Sequence, residues 1–530
     1  MKNELTAEDL KRQFSYRQLL SYNSELRSQL NQKKFELSNL KSKQEQIIKN
    51  EVELRTKKLN DELSEKDKQI ETLKATIAKM QSKLDNDSTN SGLPTSKTPI
   101  GKKKYIPNTR ERTDNKIGGQ KGHLKHKLKT FSKEEITEEI EILPTECNKC
   151  HSKNFEKLNT SKDKQELDYD VVLVKRNNKF INCRCKNCGN EFHADIPNDL
   201  KEDIQYGKTV QSLAVCLTNE IYTPFNKTVK LVSGITNNEI NMSEGYVVKL
   251  QKRAASNLET FIKELESHIS KSSVYGWDDG VVQINKKEGI LRVYCTNNTV
   301  LFVGHENKGE QGLDDDGILL NTPSSTIVMH DHILHNYNEK YKFDNVECMI
   351  HLIRRLKKME NNTNHDWNND LINLLSQTNK DRNKLLKDNK DKFDDAYLIE
   401  LDKKYDEIIL KAKKQNEEPI TINYFKDEEN RFIKDLIKYK RNYLLWAYDF
   451  KVPSTNNNSE KNIRPVKSKL KISGQFQNIN YVKYYATIRS YIETCKKNGI
   501  NIIDACTKLM NGKPYTLDEI IKKDEDNNTF

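Results

Sequence analysis

Residues 273–284 read SVYGWDDGVVQI, residues 289–296 GILRVYCT and residues 299–304 TVLFVG. Each run is short, rich in β-branched and aromatic residues, and separated from the next by turn residues at 285–289 and 297–298, so the three read as a meander of strands. Beyond them GLDDDGILLN (312–321) reads as helix. STIVMHDH (325–332) reads as a buried strand ending in an acid, NVECMI (345–350) as a further strand, and HLIRRLKK (351–358) as the opening of a helix.

The order βββαβ(α)βα is that of a ribonuclease H-like fold, and it gives the acids of this stretch a meaning. Phosphoryl transfer by two metal ions needs carboxylates that converge from different elements. Asp278 lies inside the first strand and Asp331 at the end of the fourth, and these two strands can be neighbours in the middle of such a sheet. Asp279 is adjacent to Asp278. Side chains alternate along a strand, so only one of the pair can face the metals.

Working outward toward the N-terminus, residues 205–271 read as helices. FNKTVKLVSGI (225–235) is followed by a turn and by EGYVVKLQKRAASNLETFIKELESHI (244–269), with Ser243 as cap of that long helix. A helix-turn-helix and an ordinary helical hairpin fit equally well. Cys147-x2-Cys150 and Cys185-x2-Cys188 precede this region. Two such turns can close one tetrahedral Zn²⁺ site, and LDYDVVLVK (167–175) and KFINCRC (179–185) alternate like strands between them, so 130–204 reads as a zinc ribbon.

Residues 87–129 are a linker of turn residues and cations. Between 97 and 129 there are eleven Lys and Arg, Lys102, Lys103, Lys104, Arg110, Arg112 and Lys121 among them, against only Glu111 and Asp114. Such a strip suits contact with DNA phosphates. Before it, residues 19–86 carry apolar residues at heptad spacing. Leu63, Ile70, Ile77 and Leu84 form one seam with Leu59, Leu73 and Met80, and an earlier seam, out of phase, runs through Leu26, Leu30, Leu37, Leu40, Ile47 and Leu54. The expectation is a coiled coil that assembles copies of the chain, preceded by a short arm at 1–18.

Downstream, 272–360 would be the first part of the catalytic core. Residues 361–449, rich in Lys, Asp and Asn, would be a helical insertion, 450–512 the second part of the core and 513–530 a tail. Over the whole chain of 530 residues, 90 Lys and Arg face 78 Asp and Glu, a net charge of +12. Only 35% of residues are hydrophobic, and no run reaches the roughly 20 apolar residues a membrane span needs. The first residues lack an apolar signal core, so the protein is expected in the cytoplasm, with the nucleoid. No P-loop pattern is present, so ATP is not expected.

These motifs together resemble the insertion-sequence-66 family of bacterial DDE transposases over nearly the whole chain. NDSTNSGLPTS (86–96) resembles the family's Asn/Ser/Pro-rich linker, and GGQKGH (118–123), with Lys121 and His123, its Gly-Gly-Gln-x-Gly-His motif. The two Cys pairs are similar to its zinc-binding domain. WDDG (277–280) and HD (330–331) resemble the segments of the first two acids. Cys348-x2-His351-x2-Arg354-Arg355 is similar to a further motif, and NNSEKNIRPVKSKLKISG (457–474) to the segment carrying the third acid, here Glu460. Gly280 departs from the pattern, which commonly has Thr there.

The resemblance implies a catalytic set of Asp278, Asp331 and Glu460 holding two Mg²⁺ or Mn²⁺ ions, beside one structural Zn²⁺. It implies double-stranded DNA as partner, both the terminal inverted repeats of a mobile element and the target, and leaves accessory proteins of that element open. Arg464 shares the helix face of Glu460 and is either an ion pair on a solvated helix or a phosphate holder. Lys467, Lys469 and Lys471 suit a DNA track, and Pro465 is expected to bend or end their helix. Arg354 and Arg355 can hold phosphate, while His351 fits a phosphate contact or structural packing. The competing reading is a DNA-binding protein without catalysis, a regulator or decayed element. A relative that cuts but does not join strands is a third.

Overall fold

A computed structural model describes residues 7–86, 129–197, 200, 202–418 and 423–527. The chain opens on one helix, α1 (Ala7–Leu84), of 78 residues. It starts twelve residues before the expected arm ends, and at 1.5 Å per residue it is a rod of about 115 Å. Its apolar residues, Leu26, Leu37, Leu63, Ile77 and others, are exposed along it, and among the described side chains only those near its end, Ala78 and Ser82, are buried. There Asn362 Nδ2 donates to Ser82 Oγ at 3.4 Å.

Over the Cys pairs, only β1 (Cys183–Arg184) and β2 (Glu191–Phe192) pair, as a short antiparallel hairpin. The expected strand at 167–175 is not one. Its residues are almost all exposed, and β-branched composition alone does not hold a strand without a partner and a face to bury.

Four helices follow: α2 (Lys208–Asn219), α3 (Phe225–Ile235), α4 (Glu244–Ser256) and α5 (Glu259–Ser270). Ser243 Oγ caps α4 by accepting the N–H of Tyr246 at 3.1 Å, as its position suggested. The long helix expected here breaks after Ser256, and Leu258, fully buried, is the N-cap of α5.

The central element is a five-stranded mixed sheet built from β3 (Val274–Ile284), β4 (Lys287–Cys295), β5 (Val300–His305), β6 (Ile327–His330) and β7 (Asp344–Glu347), in the spatial order β5-β4-β3-β6-β7. The meander β3-β4-β5 is antiparallel, while β6 and β7 run parallel to β3. The short helix α6 (Glu310–Asp316) links the two halves. Both faces of the sheet are covered. Tyr275, Trp277, Tyr294 and Val328 pack with Leu250, Leu265 and Ile492. Val282, Leu291, Val293 and Phe302 pack under Ile463, Val466 and Tyr485.

After β7 come α7 (Met349–Thr363), α8 (Trp367–Lys387), α9 (Asp395–Glu417), α10 (Asn423–Lys438) and α11 (Lys440–Tyr448), which share a core of their own around Trp367, Tyr405, Phe432 and Trp446. The chain then returns to the sheet with α12 (Asn457–Ser473) and α13 (Ile479–Lys497), and ends with α14 (Ile502–Met510) and α15 (Leu517–Asn527). Pro465 does not end α12, which continues to Ser473. Ile463 and Val466, buried on the sheet on either side of the proline, hold the helix together where one backbone bond is lost.

Candidate active site

The strand register brings the first two acids side by side. Val274, Tyr275 and Gly276 on β3 pair in parallel with Ile327, Val328 and Met329 on β6. Two residues further along, Asp278 stands abreast of Asp331, just past the end of β6.

Alternation then decides which acid of the pair faces inward. Gly276, Asp278, Gly280 and Val282 share one face of β3, and α12 lies on it. A Cβ at Gly276 would stand 2.7 Å from Ser459 Oγ, and one at Gly280 3.0 Å from Ile463 Cγ1. Two glycines thus let α12 approach the strand closely, and Glu460, next to Ser459, reaches the space around Asp278. Asp279 points the other way, to Lys308 Nζ at 3.3 Å. The approach is further fixed by Asn456, whose Nδ2 donates to Trp277 O at 2.7 Å.

The electrostatics bear the marks of this convergence. Burial is the largest influence on Asp278, and the carboxylates of Asp331, Asp279 and Glu460 add to it. Together they push its pKa up to about 7 against the donated N–H of Asp279. His351, in the first turn of α7, places Nδ1 2.8 Å from Asp331 Oδ1 and 3.8 Å from Glu460 Oε1. Burial works against its imidazolium, but Asp331 and Cys348 outweigh that and its pKa is pushed up to about 11. Both shifts show a pocket that attracts positive charge. Asp331 Oδ1 and His351 Nδ1 are both buried and face each other as an ion pair. The converging carboxylate oxygens of Asp278, Asp331 and Glu460 fit hard divalent cations.

The cations suggested for phosphate contact divide. Arg354 Nη1 lies 3.3 Å from His351 Nε2, at the edge of the acid cluster. Arg355 donates to Asp435 at 2.8 Å and stacks on Phe432, so part of its guanidinium serves packing. Arg464 is two-thirds exposed and only 3.9 Å from Glu460. Lys467 and Lys471 are exposed on α12. Lys469 is not part of a surface track. It is buried, lies over the rings of Tyr485 and Phe476, and reaches Thr218 O at 3.3 Å.

The two cysteine turns have the same backbone. Cys147 N donates to Ser152 O and His151 N to Cys147 O, each at 2.9 Å. Cys185 N donates to Asn190 O at 2.8 Å and Gly189 N to Cys185 O at 2.9 Å. His151 and Gly189 both have positive φ. The N–H groups of Lys149 and Cys150 lower the pKa of Cys147, and those of Cys188 and Asn187 lower that of Cys185. Each turn is therefore suited to holding a thiolate. The two turns are not closed on one point: among the described residues no three of these sulfurs group within 4.8 Å. Lys102, Lys103, Lys104, Arg110, Arg112, Lys121 and His123 lie outside the described residues.

Cys348 and Asn456 were not recognised as part of this site from sequence. The spacing Cys348-x2-His351 carried the signal, since it sets sulfur and imidazole on one helical turn. Asn456, one residue before α12, offered none. Among the described residues no helix is long and apolar enough to cross a membrane.

Compared with known proteins, residues 203–483 match the profile described as Transposase IS66 family. No curated protein matches the chain. The matched span is more than half of the chain and includes Asp278, Asp331, His351 and Glu460. The chain belongs to the IS66 family of transposases.

Proposed function

We propose that this transposase cuts and joins DNA by a DDE mechanism, with Asp278, Asp331 and Glu460 as its three catalytic carboxylates. The observation that carries the reading is their convergence: 182 residues of chain separate Asp278 from Glu460, yet Asp278 feels both other acids. In this reading the sheet is a ribonuclease H-like core and the helices from α8 to α11 are an insertion within it.

The acids would hold two Mg²⁺ or Mn²⁺ ions, which supply an activated water and stabilise the leaving oxygen. The protein's own part is placement. Asp278 and Asp331 are fixed by strand register, Glu460 by the glycine-cleared face of β3. Arg354 and Arg464 stand at the rim, where a phosphodiester would meet the metals. A water would cut the transposon end to leave a 3′-OH, and the same site would direct that 3′-OH at target DNA. The cysteine turns at 147–150 and 185–188 would share one structural Zn²⁺, and Lys102 to Lys104 with the rest of the basic linker would bind phosphates. The exposed seams of α1 would pair protomers so that two ends are cut together, with the nucleoid as the place of work.

The test is purified protein, Mg²⁺ and DNA carrying the element's terminal inverted repeats. Cleavage to 3′-OH ends followed by strand-transfer products is expected. End binding without metal-dependent cleavage would instead identify a DNA-binding protein, and cleavage without joining a nuclease.

A further inference from the structure

Asp331, Cys348 and His351 bring an oxygen, a sulfur and a nitrogen donor to one point, all within 4.8 Å of one another. Cys348 is the residue before α7, tied by its N–H to His330 O at 3.2 Å. His351 follows in the first turn of that helix, so both side chains project to the same side, onto Asp331. The sulfur is buried and accepts the backbone N–H of Asn456 at 3.2 Å. Asp331 Oδ1 and His351 Nδ1 are buried and lie 2.8 Å apart as an ion pair.

Mg²⁺ selects oxygen donors, whereas a mixed S, N, O set selects Zn²⁺ and its neighbours in the first transition row. A tetrahedral Zn²⁺ with bonds of about 2.0–2.3 Å needs donor atoms roughly 3.4–3.8 Å apart. The three donors lie within 4.8 Å of one another, about an ångström from that spacing. The fourth position is within reach of water or of Glu460, whose Oε1 is 3.8 Å from His351 Nδ1.

We infer that Asp331, Cys348 and His351 form a binding site for one thiophilic divalent cation, with Zn²⁺ as the type ion. On binding, Cys348 and the His351 imidazolium each give a proton to solvent, the ion pair of His351 with Asp331 opens, and the ion takes all three as ligands. If Asp331 is a catalytic carboxylate, as proposed above, the site has a consequence. An ion held there withdraws Asp331 from the Mg²⁺ pair, and Zn²⁺ becomes an inhibitor that competes with Mg²⁺. Only this consequence rests on the catalytic reading.

The experiment titrates the full-length protein with Zn²⁺ alone, and in parallel with Co²⁺ alone, comparing the parent with Cys348→Ser and His351→Gln. The parent should bind one ion more than either variant, or bind it with at least the 10- to 100-fold higher affinity that even an outer partner of a metal site confers. The Co²⁺ form should lose part of its thiolate-to-metal absorption in Cys348→Ser. Equal stoichiometry and affinity in all three proteins would overturn the site. Should Cys348→Ser fail to fold, His351→Gln, altered at a partly exposed side chain, decides alone. In cleavage assays at fixed Mg²⁺, Zn²⁺ should inhibit the parent at concentrations that leave His351→Gln at its own Mg²⁺ rate. If the extra ion binds but no metal supports cleavage, the site stands and the catalytic reading is what fails.

Discussion

Gly280 on β3 lies directly against Ile463 on α12: a Cβ at position 280 would stand 3.0 Å from Ile463 Cγ1. Ile463 sits three residues after Glu460, so the separation of strand and helix at this contact sets how far Glu460 reaches toward Asp278.

Gly280→Val should therefore act on stability and on chemistry together. Overpacking of this kind costs about 1–3 kcal/mol, and displacement of Glu460 by a fraction of an ångström should lower cleavage much more than DNA binding. Ile463→Ala in the same chain opens the space again and should recover part of the lost cleavage. Thermal unfolding and cleavage rates of the two single variants and the double variant check this.

Lys469 gives a pH-dependent stability. Burial lowers its pKa to about 8 from the usual 10.5, so the folded state binds fewer protons than the unfolded chain between those values. Stability then rises with pH through that window, and below pH 8 the buried charge carries its full penalty. Lys469→Met keeps a flexible stem between Tyr485 and Phe476 but carries no charge. It should be more stable than the parent near pH 7 by a margin that shrinks toward pH 10, by at most about 1.4 kcal/mol per pH unit. Denaturant unfolding at several pH values reads the margin, and non-specific DNA affinity should not change.

The rod should assemble. Leu63, Ile70 and Ile77 are exposed on α1, and a long apolar stripe left in water favours self-association. Sedimentation of the full chain should show an oligomer, and Ile70→Lys with Ile77→Lys should convert it to monomer. A parent that sediments as monomer at micromolar concentration contradicts the coiled coil.

Zinc content should depend on both cysteine turns. Cys185→Ser should lower bound zinc by one ion relative to the parent and destabilise the segment around it, since small structural zinc sites contribute directly to folding. Zinc analysis after gel filtration, unchanged by the substitution, would count against a shared site.

The strands of the sheet were legible from sequence because strands and turns alternate cleanly from 273 to 350, and period two says that Asp278 and Asp279 face opposite sides of it. Glu460 was legible only through its motif, since nothing in a helical stretch says which strand it will face. The two glycines that admit α12 were plain in WDDG and its neighbours, but their purpose needs Ser459 and Ile463 opposite them. Lys469 was misread as surface, although Asn462, Val466 and Lys469 fall on one helical stripe with Ile463. The segment 167–175 was misread because alternation is a property of the segment, whereas a strand needs a partner.

The most direct test of the central claim is metal-dependent cleavage of transposon-end DNA by Asp278→Asn, Asp331→Asn and Glu460→Gln, with Asp279→Asn alongside. Each of the first three keeps the side chain's shape and removes its charge, so cleavage with Mg²⁺ or Mn²⁺ should fall to background while DNA binding survives. Asp279→Asn, whose parent side chain pairs with Lys308 on the other face of the sheet, should still cleave. Loss of cleavage in Asp279→Asn with cleavage retained in Asp278→Asn would contradict the assignment of the first acid, and cleavage retained in all four would contradict the three-carboxylate site itself.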